Sequence, residues 1–164
     1  MRSSPVAGRG KTSRWLATSY SARLSRRRNR DTAPELLLRR RLFAAGLRFR
    51  VHRRLFERVT IDIVMPGLRL GICVDGCFWH SCPRHGRASF SGPNADLWMN
   101  KLARNIARDQ RVVETASRLG WTVLRVWECD VIDGSDRLAQ AIARVSRQYR
   151  ASTSRLDSRT ARHS

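Results

Sequence analysis

The stretch Val59-Thr60-Ile61-Asp62-Ile63-Val64-Met65 constrains this chain more than any other. Its β-branched residues favour an extended, well-covered strand, yet an aspartate stands in the middle, where strands disfavour it. A carboxylate in that position must face water, pair with a cation or bind a metal, because unpaired burial costs several kcal/mol. Pro66-Gly67 supplies a turn, and residues 68–75 then alternate Leu68, Leu70, Ile72 and Val74 before ending on a second acid, Asp75. Two strands that deliver carboxylates near one edge make a site suited to Mg²⁺, a hard cation that takes oxygen ligands. The competing reading leaves Asp62 on a solvated face.

Other elements follow from periodicity and capping. Asp31-Thr32-Ala33-Pro34-Glu35 reads as a helix start, with Asp31 or Thr32 as cap, Pro34 in the first turn and Glu35 at the positive end. Leu36, Leu37, Leu38, Leu42 and Phe43 give that helix an apolar side, and Gly46 suits a left-handed terminator. Residues 47–52 read as a strand. Residues 76–94 are irregular, rich in Cys, His, Pro and Gly. The spacing of Leu97, Leu102, Ile106, Val113 and Ala116 predicts a helix over 95–119 that buries this side and stops at Gly120. Residues 121–127 form a fourth strand and 136–149 a last helix. The expected class is α/β (α+β), a mixed central sheet flanked by helices in the order α-β-β-β-α-β-α.

The irregular stretch carries Cys77-x4-Cys82-x2-His85, and Cys129 follows at the expected end of the fourth strand. Zinc takes four tetrahedral N or S ligands, often three Cys and one His, and such an ion would pin the loop to the sheet. The alternative makes Cys77 and Cys129 core residues and His85 a loop histidine. Cys73, inside an apolar strand, reads as a small buried hydrophobe. His80 either accepts a proton beside the carboxylate site, as suits a side chain that titrates near neutrality, or joins the zinc ligands. Phe78, Trp79 and Trp98 either pack in the core or wedge between bases. Asp109 and Glu35 are by default a surface ion-pair member and a helix-start acid; their functional options are orienting a catalytic histidine and supporting a metal.

Charge points to a partner class, although an Arg-rich, Ser-rich, acid-poor start such as residues 1–30 also fits a transit peptide. The formal net charge is +20, and among the basic residues only Lys11 and Lys101 are lysine. Residues 1–30 contain no acid, and 147–164 contain only Asp157. We therefore expect a basic N-terminal arm over 1–30, a catalytic-size domain over 31–149 and a basic tail over 150–164, both arms largely flexible. Such arms release counterions on meeting a polyanion, so nucleic acid is the expected partner. No segment has the apolar length to span a bilayer, and the N-terminus lacks the apolar stretch of a secretory signal. The cysteines then suit metal binding in a reducing cytoplasm rather than disulfides.

Taken together, Asp31-Thr32-Ala33-Pro34-Glu35, the mid-strand Asp62, Gly76-Cys77-Phe78-Trp79-His80, the helix with Trp98, Lys101, Asn105, Arg108 and Asp109, and Gly120-Trp121 followed by Val126-Trp127-Glu128-Cys129 resemble the very-short-patch-repair (Vsr) mismatch endonucleases, over residues 20–133. The resemblance implies a restriction-endonuclease-like core. It also implies Mg²⁺-dependent nicking of double-stranded DNA on the 5′ side of the thymine in a T:G mismatch, initiating repair of deaminated 5-methylcytosine. Carried over by position, Asp62 binds the metal and Val74 offers it a main-chain carbonyl. His80 activates water with Asp109 in support, and Glu35 lies near the metal-bound waters. Phe78, Trp79 and Trp98 insert beside the mismatch, while Cys77, Cys82, His85 and Cys129 hold structural zinc. The protein would act as a cytoplasmic monomer, with mismatch-repair proteins as further partners.

This sequence departs from a familiar member of that family, which has Thr at the position of Val74 and His at that of Asp75, spaces its loop ligands differently, and has a Pro-Asp step missing before Asp62. Two other functions fit the same residues: a nuclease of this fold without mismatch selectivity, and a zinc-stapled DNA-binding module without catalysis.

Overall fold

The computed structural model describes residues 15, 16, 18, 29–56, 59–86 and 89–160, with side chains as far as Tyr149. The arm expected over 1–30 lies almost wholly outside these residues, as do the last four residues of the expected tail.

Helix α1 (Ala33–Ala44) starts after Thr32, but the Thr32 side chain makes no bond to the helix backbone. Glu35 reaches back instead: its Oε2 accepts the Asp31 N–H at 3.0 Å and its Oε1 accepts the Thr32 hydroxyl at 3.0 Å. Gly46 ends the helical segment in the expected left-handed conformation, φ 82°. The buried side is narrower than expected: Leu38 and Leu42 are fully covered, whereas Leu36 and Phe43 are exposed.

Strand β1 (Arg50–Phe56) pairs antiparallel with β2 (Val59–Met65), in the register Arg50↔Val64 and Arg54↔Thr60. This corrects the expected 47–52. Leu47 closes α1 through its N–H to the Leu42 carbonyl and is buried in the core, while the charged Arg53 and Arg54 are drawn into the sheet by their ladder partners. Residues Pro66–Leu68 form a 3₁₀ turn, so β3 (Leu70–Asp75) starts later than expected and runs antiparallel to β2. Helix α2 (Ala95–Arg118) then crosses over, and Gly120, φ 73°, lets the chain turn into β4 (Thr122–Trp127), parallel to β3. Helix α3 (Glu128–Thr160) begins at once, not at residue 136, with a non-helical Gly134 near its start. Its backbone stays helical to Thr160, past the expected end at 149, and Cys129 lies in its first turn rather than in the strand. The order is α-β-β-β-α-β-α, and the sheet order is β1-β2-β3-β4.

Helices cover both faces. Leu38 and Leu42 of α1 and Val131, Ala139, Ile142 and Ala143 of α3 bury Ile63, Met65 and Ile72 on one side. Val112 and Ala116 of α2 bury Ile61, Val64, Cys73 and Val123 on the other. Two-sided cover explains why β2 reads as a nearly continuous apolar run. The inner side of α2 is turned relative to expectation: Trp98, Leu102, Asp109, Val112 and Ala116 are buried, while Ile106 and Val113 are each 36% exposed. A buried acid on the core side of a helix is what the apolar pattern missed.

Candidate active site and metal centre

The β2–β3 ladder ends at Ile63↔Ile72, just before Asp62. Where the strands part, the Asp62 carboxylate takes the place of the missing ladder partner: its Oδ2 accepts the Val74 N–H at 2.9 Å. Among the described residues this is the one hydrogen bond to that carboxylate. Burial pushes the Asp62 carboxyl above its ordinary range, and the nearby Glu35 pushes the same way, with the Val74 N–H opposing them. A desolvated, under-compensated carboxylate at the end of a strand pair suits a divalent cation, and the Val74 carbonyl lies on the adjoining residue.

The same property sets a stability prediction. Because the folded-state carboxyl is raised, its contribution favours the fold at low pH and is lost as pH rises from the ordinary carboxylate range through the raised value. At neutral pH without metal, Asp62→Asn should therefore raise the melting temperature, by about 0.5–2 kcal/mol in stability terms. Saturating Mg²⁺ should reverse the order by stabilising the parent chain alone. Calorimetry with and without Mg²⁺ checks this; a variant less stable in both conditions contradicts it.

Asp62 lines a cleft of about 1050 Å³ together with Glu35, Val74, Asp75, Trp79, His80, Lys101, Asn105, Asp109 and Arg125. His80 does not join the cysteines. Its Nδ1 lies 2.5 Å from Asp109 Oδ2, so the buried acid of α2 orients the imidazole of the loop. Glu35 is buried and its carboxylate is heavily engaged, also accepting Arg39 Nη2 at 2.9 Å. Arg39 meets Asp31 at 2.6 Å and His52 at 2.9 Å as well, and together with His52 it holds the Asp31 carboxyl below the ordinary range. Asp31, Glu35 and His52 stand close enough to share a cation, and the guanidinium of Arg39 already fills that role. Cys73 is the inert thiol expected: burial, reinforced by the charge of Asp62, pushes it up to about 12.

Cys77, Cys82, His85 and Cys129 converge, their ligand atoms all within 4.8 Å of one another. Cys82 Sγ stands 3.7 Å from Cys129 Sγ, and His85 Nδ1 stands 3.8 Å from Cys77 Sγ. Thiolates bound tetrahedrally to one zinc ion stand about 3.8 Å apart, so donor set and spacing both fit that metal. The Cys77 N–H donates to Glu128 Oε1 at 3.0 Å, and Arg84 ties the loop to Cys129, Asp130 and Asp133. Both contacts reach the first turns of α3.

Phe78 and Trp79, which separate Cys77 from His80 along the chain, belong to an aromatic cluster. Phe78 packs edge-on against Trp79 at 5.0 Å and against Trp98 at 5.9 Å, and Phe90 joins them. Trp98 is buried, capped by Trp15 at 4.8 Å. The Lys101 ammonium lies 4.7 Å from the Trp79 ring centre, and Asn105 donates to the Trp79 carbonyl at 3.0 Å. The buried Asn94 holds the Trp15 segment by both backbone groups of Leu16, at 2.9 and 2.8 Å.

Sequence reasoning missed Arg125, Asn94, Phe90 and Trp15. Arg125 was findable by the rule that found Asp62: it is a charged residue in mid-strand, in Thr122–Trp127. Asn94 and Trp15 gave no such signal, because only the fold brings them together.

The family described as DNA mismatch endonuclease Vsr matches residues 16–85. The type II nicking enzyme V.NaeI of Lentzea aerocolonigenes is 40% identical over 117 residues, 69% of each chain. V.XorIIP, a type II nicking enzyme of Xanthomonas oryzae pv. oryzae, is 41% identical over 108 residues, 65% of this chain and 76% of that one. DNA mismatch endonuclease Vsr of Escherichia coli is 37% identical over 111 residues, 66% of this chain and 68% of that one. The chain belongs to the Vsr family. It is a DNA endonuclease. The catalytic domain of the homing endonuclease I-Bth0305I superposes with a TM-score of 0.49 at 18% identity, covering 73% of this chain and 98% of that one. Among the described residues no helix is long and apolar enough to cross a membrane.

Proposed function

We propose that this Vsr-family protein nicks one DNA strand 5′ of the thymine in a T:G mismatch, initiating very short patch repair of deaminated 5-methylcytosine. The observation that carries the reading is one shared cleft: Asp62, the His80–Asp109 pair and Trp79 all line it, and Trp79 belongs to the aromatic cluster. Chemistry and base-stack probing therefore sit side by side. The printed names of the relatives, nicking enzymes and a mismatch endonuclease, support the same reading.

Asp62 and the Val74 carbonyl would hold Mg²⁺, which when bound polarises the scissile phosphate and lowers the pKa of water. His80, its Nδ1 engaged by Asp109, presents the opposite ring nitrogen as proton acceptor for the attacking water. Glu35 sits within electrostatic reach of Asp62. Phe78 and Trp79, and Trp98 once Trp15 is displaced from its face, would enter the stack beside the mismatch, where unstacking costs least, and Lys101 would follow the phosphates. Zinc at Cys77, Cys82, His85 and Cys129 holds the loop that carries Phe78, Trp79 and His80. The protein acts as a monomer in the cytoplasm, with mismatch-repair proteins as further partners.

The deciding experiment compares nicking of a T:G heteroduplex with a T:A control of the same sequence, in Mg²⁺. Preference for T:G by at least about tenfold is expected, as one or two kcal/mol of stacking difference delivers it. Equal cleavage of both favours the nuclease without mismatch selectivity; binding without cleavage of either favours the DNA-binding module.

A further inference from the structure

Arg125 stands in mid-β4 opposite Cys73 of β3, and its guanidinium touches three functional groups at once. Nε and Nη2 donate to the two oxygens of Asp75 at 2.7 and 2.5 Å. Nη2 also lies 2.9 Å from Asp109 Oδ2, the oxygen that His80 Nδ1 meets, and 3.2 Å from that ring nitrogen.

Two carboxylates thus compete for one imidazole. Asp75 Oδ1 is 3.8 Å from His80 Nδ1, close enough to capture it after a small ring rotation, and Asp109 Oδ2 is at 2.5 Å. We propose that Arg125 is a positioning residue of the nicking reaction: by occupying both oxygens of Asp75 and bracing Asp109, it leaves Asp109 as the one carboxylate hydrogen-bonded to His80. The bidentate geometry is what a guanidinium supplies and an ammonium does not. Asp75 is then the anchor of Arg125 rather than a ligand or a base. Arg125 is 79% covered in its side chain and Asp75 is buried, so the brace is held in a place where little water competes with it. The inference rests on the proposed role of His80 as proton acceptor.

The test uses the full chain in three variants: Arg125→Met, Arg125→Lys and Arg125→Met combined with Asp75→Asn. Single-turnover nicking of one duplex is measured with DNA affinity, and nitrogen NMR of His80 reports which ring nitrogen carries the proton. Arg125→Met should cut the nicking rate about tenfold to a hundredfold, the scale of a misaimed catalytic group, with DNA affinity within about twofold of the parent. Its Nδ1–H signal should shift away from the Asp109-bonded position. The double variant should recover both rate and signal in part, because the competing carboxylate is gone, and Arg125→Lys should recover less than a tenth of the lost rate. Unchanged rate and unchanged His80 signal in folded Arg125→Met overturn the proposal, as does a loss confined to melting temperature. His80→Ala and Asp109→Ala are the control: if they nick at the parent rate, the role of His80 itself fails. If they are inactive while Arg125→Met is fully active, only the role of Arg125 fails.

Discussion

Asp62→Ala is expected to slow nicking at least about a thousandfold, some 4 kcal/mol of transition-state stabilisation, while leaving the chain folded and able to bind DNA. Binding survives because it draws on a formal net charge of +20, not on one carboxylate. Folding survives because Asp62 contributes one hydrogen bond, to the Val74 N–H, and is itself held above its ordinary titration range by burial. His80→Ala should cost less, about a hundredfold to ten-thousandfold, since water in the cleft can still lose its proton to solvent. The ordering separates the two roles: no concentration of Mg²⁺ should restore Asp62→Ala, whereas higher pH should partly restore His80→Ala. Single-turnover rates on one nicked-strand substrate, with affinity measured in parallel, give the comparison. An Asp62→Ala chain that cuts within tenfold of the parent would remove the metal site from this cleft.

The parts of the site that were legible were those where a residue type contradicts its surroundings. Asp62 inside β-branched neighbours is such a case, and so are Cys77, Cys82 and His85 in a stretch with little apolar mass. Both rest on local chemistry that any fold has to accommodate. Asp109 was harder, because an acid flanked by Arg108 and Arg111 reads as a solvated face, and only the packing of α2 on the sheet turns it inward. Choosing Ile106 and Val113 as the inner side followed apolar periodicity and thereby rotated the helix away from its functional face. Arg125 depended on something further, the parallel register Cys73↔Arg125, which sets β4 beside β3 and leaves Asp75 one pleat away on the same side. Register between strands separated by a helix is not encoded in the periodicity of either strand. The limits of β1 failed for a related reason: its Arg-rich second half is a strand because β2 lies beside it, not because its own residues prefer one. Leu68, by contrast, kept its alternation but was lost to the 3₁₀ turn that Pro66 begins.

Removing one thiolate from the cysteine cluster should have the largest effect on stability of any single change considered. Between Asp75 and Ala95 the described residues form no helix or strand, so the loop bearing Phe78, Trp79 and His80 depends on few attachments. At its cysteine end those are the four clustered side chains, the Cys77–Glu128 hydrogen bond and the contacts of Arg84; His80–Asp109, Asn105–Trp79 and the packing on Trp98 add to them further along. Zinc binding supplies roughly 10–16 kcal/mol where it drives an entire small domain to fold. Here the sheet and its two cores stand without it, and only the ordering of one loop is at stake, so Cys82→Ser or Cys129→Ser should cost roughly 3–5 kcal/mol. In a chain of this size that lowers the melting temperature by about 6–20 °C. Nicking should fall as well, although Asp62 is untouched, because His80 would no longer be delivered to Asp109. The parent chain should carry one zinc by elemental analysis, and each variant markedly less. Chelation offers an independent route: strip all metal, restore Mg²⁺ alone, and compare with restoration of Mg²⁺ and Zn²⁺ together. Full activity and an unchanged melting curve with Mg²⁺ alone would make Cys77, Cys82 and Cys129 buried thiols beside an exposed His85 and leave the loop to hold itself.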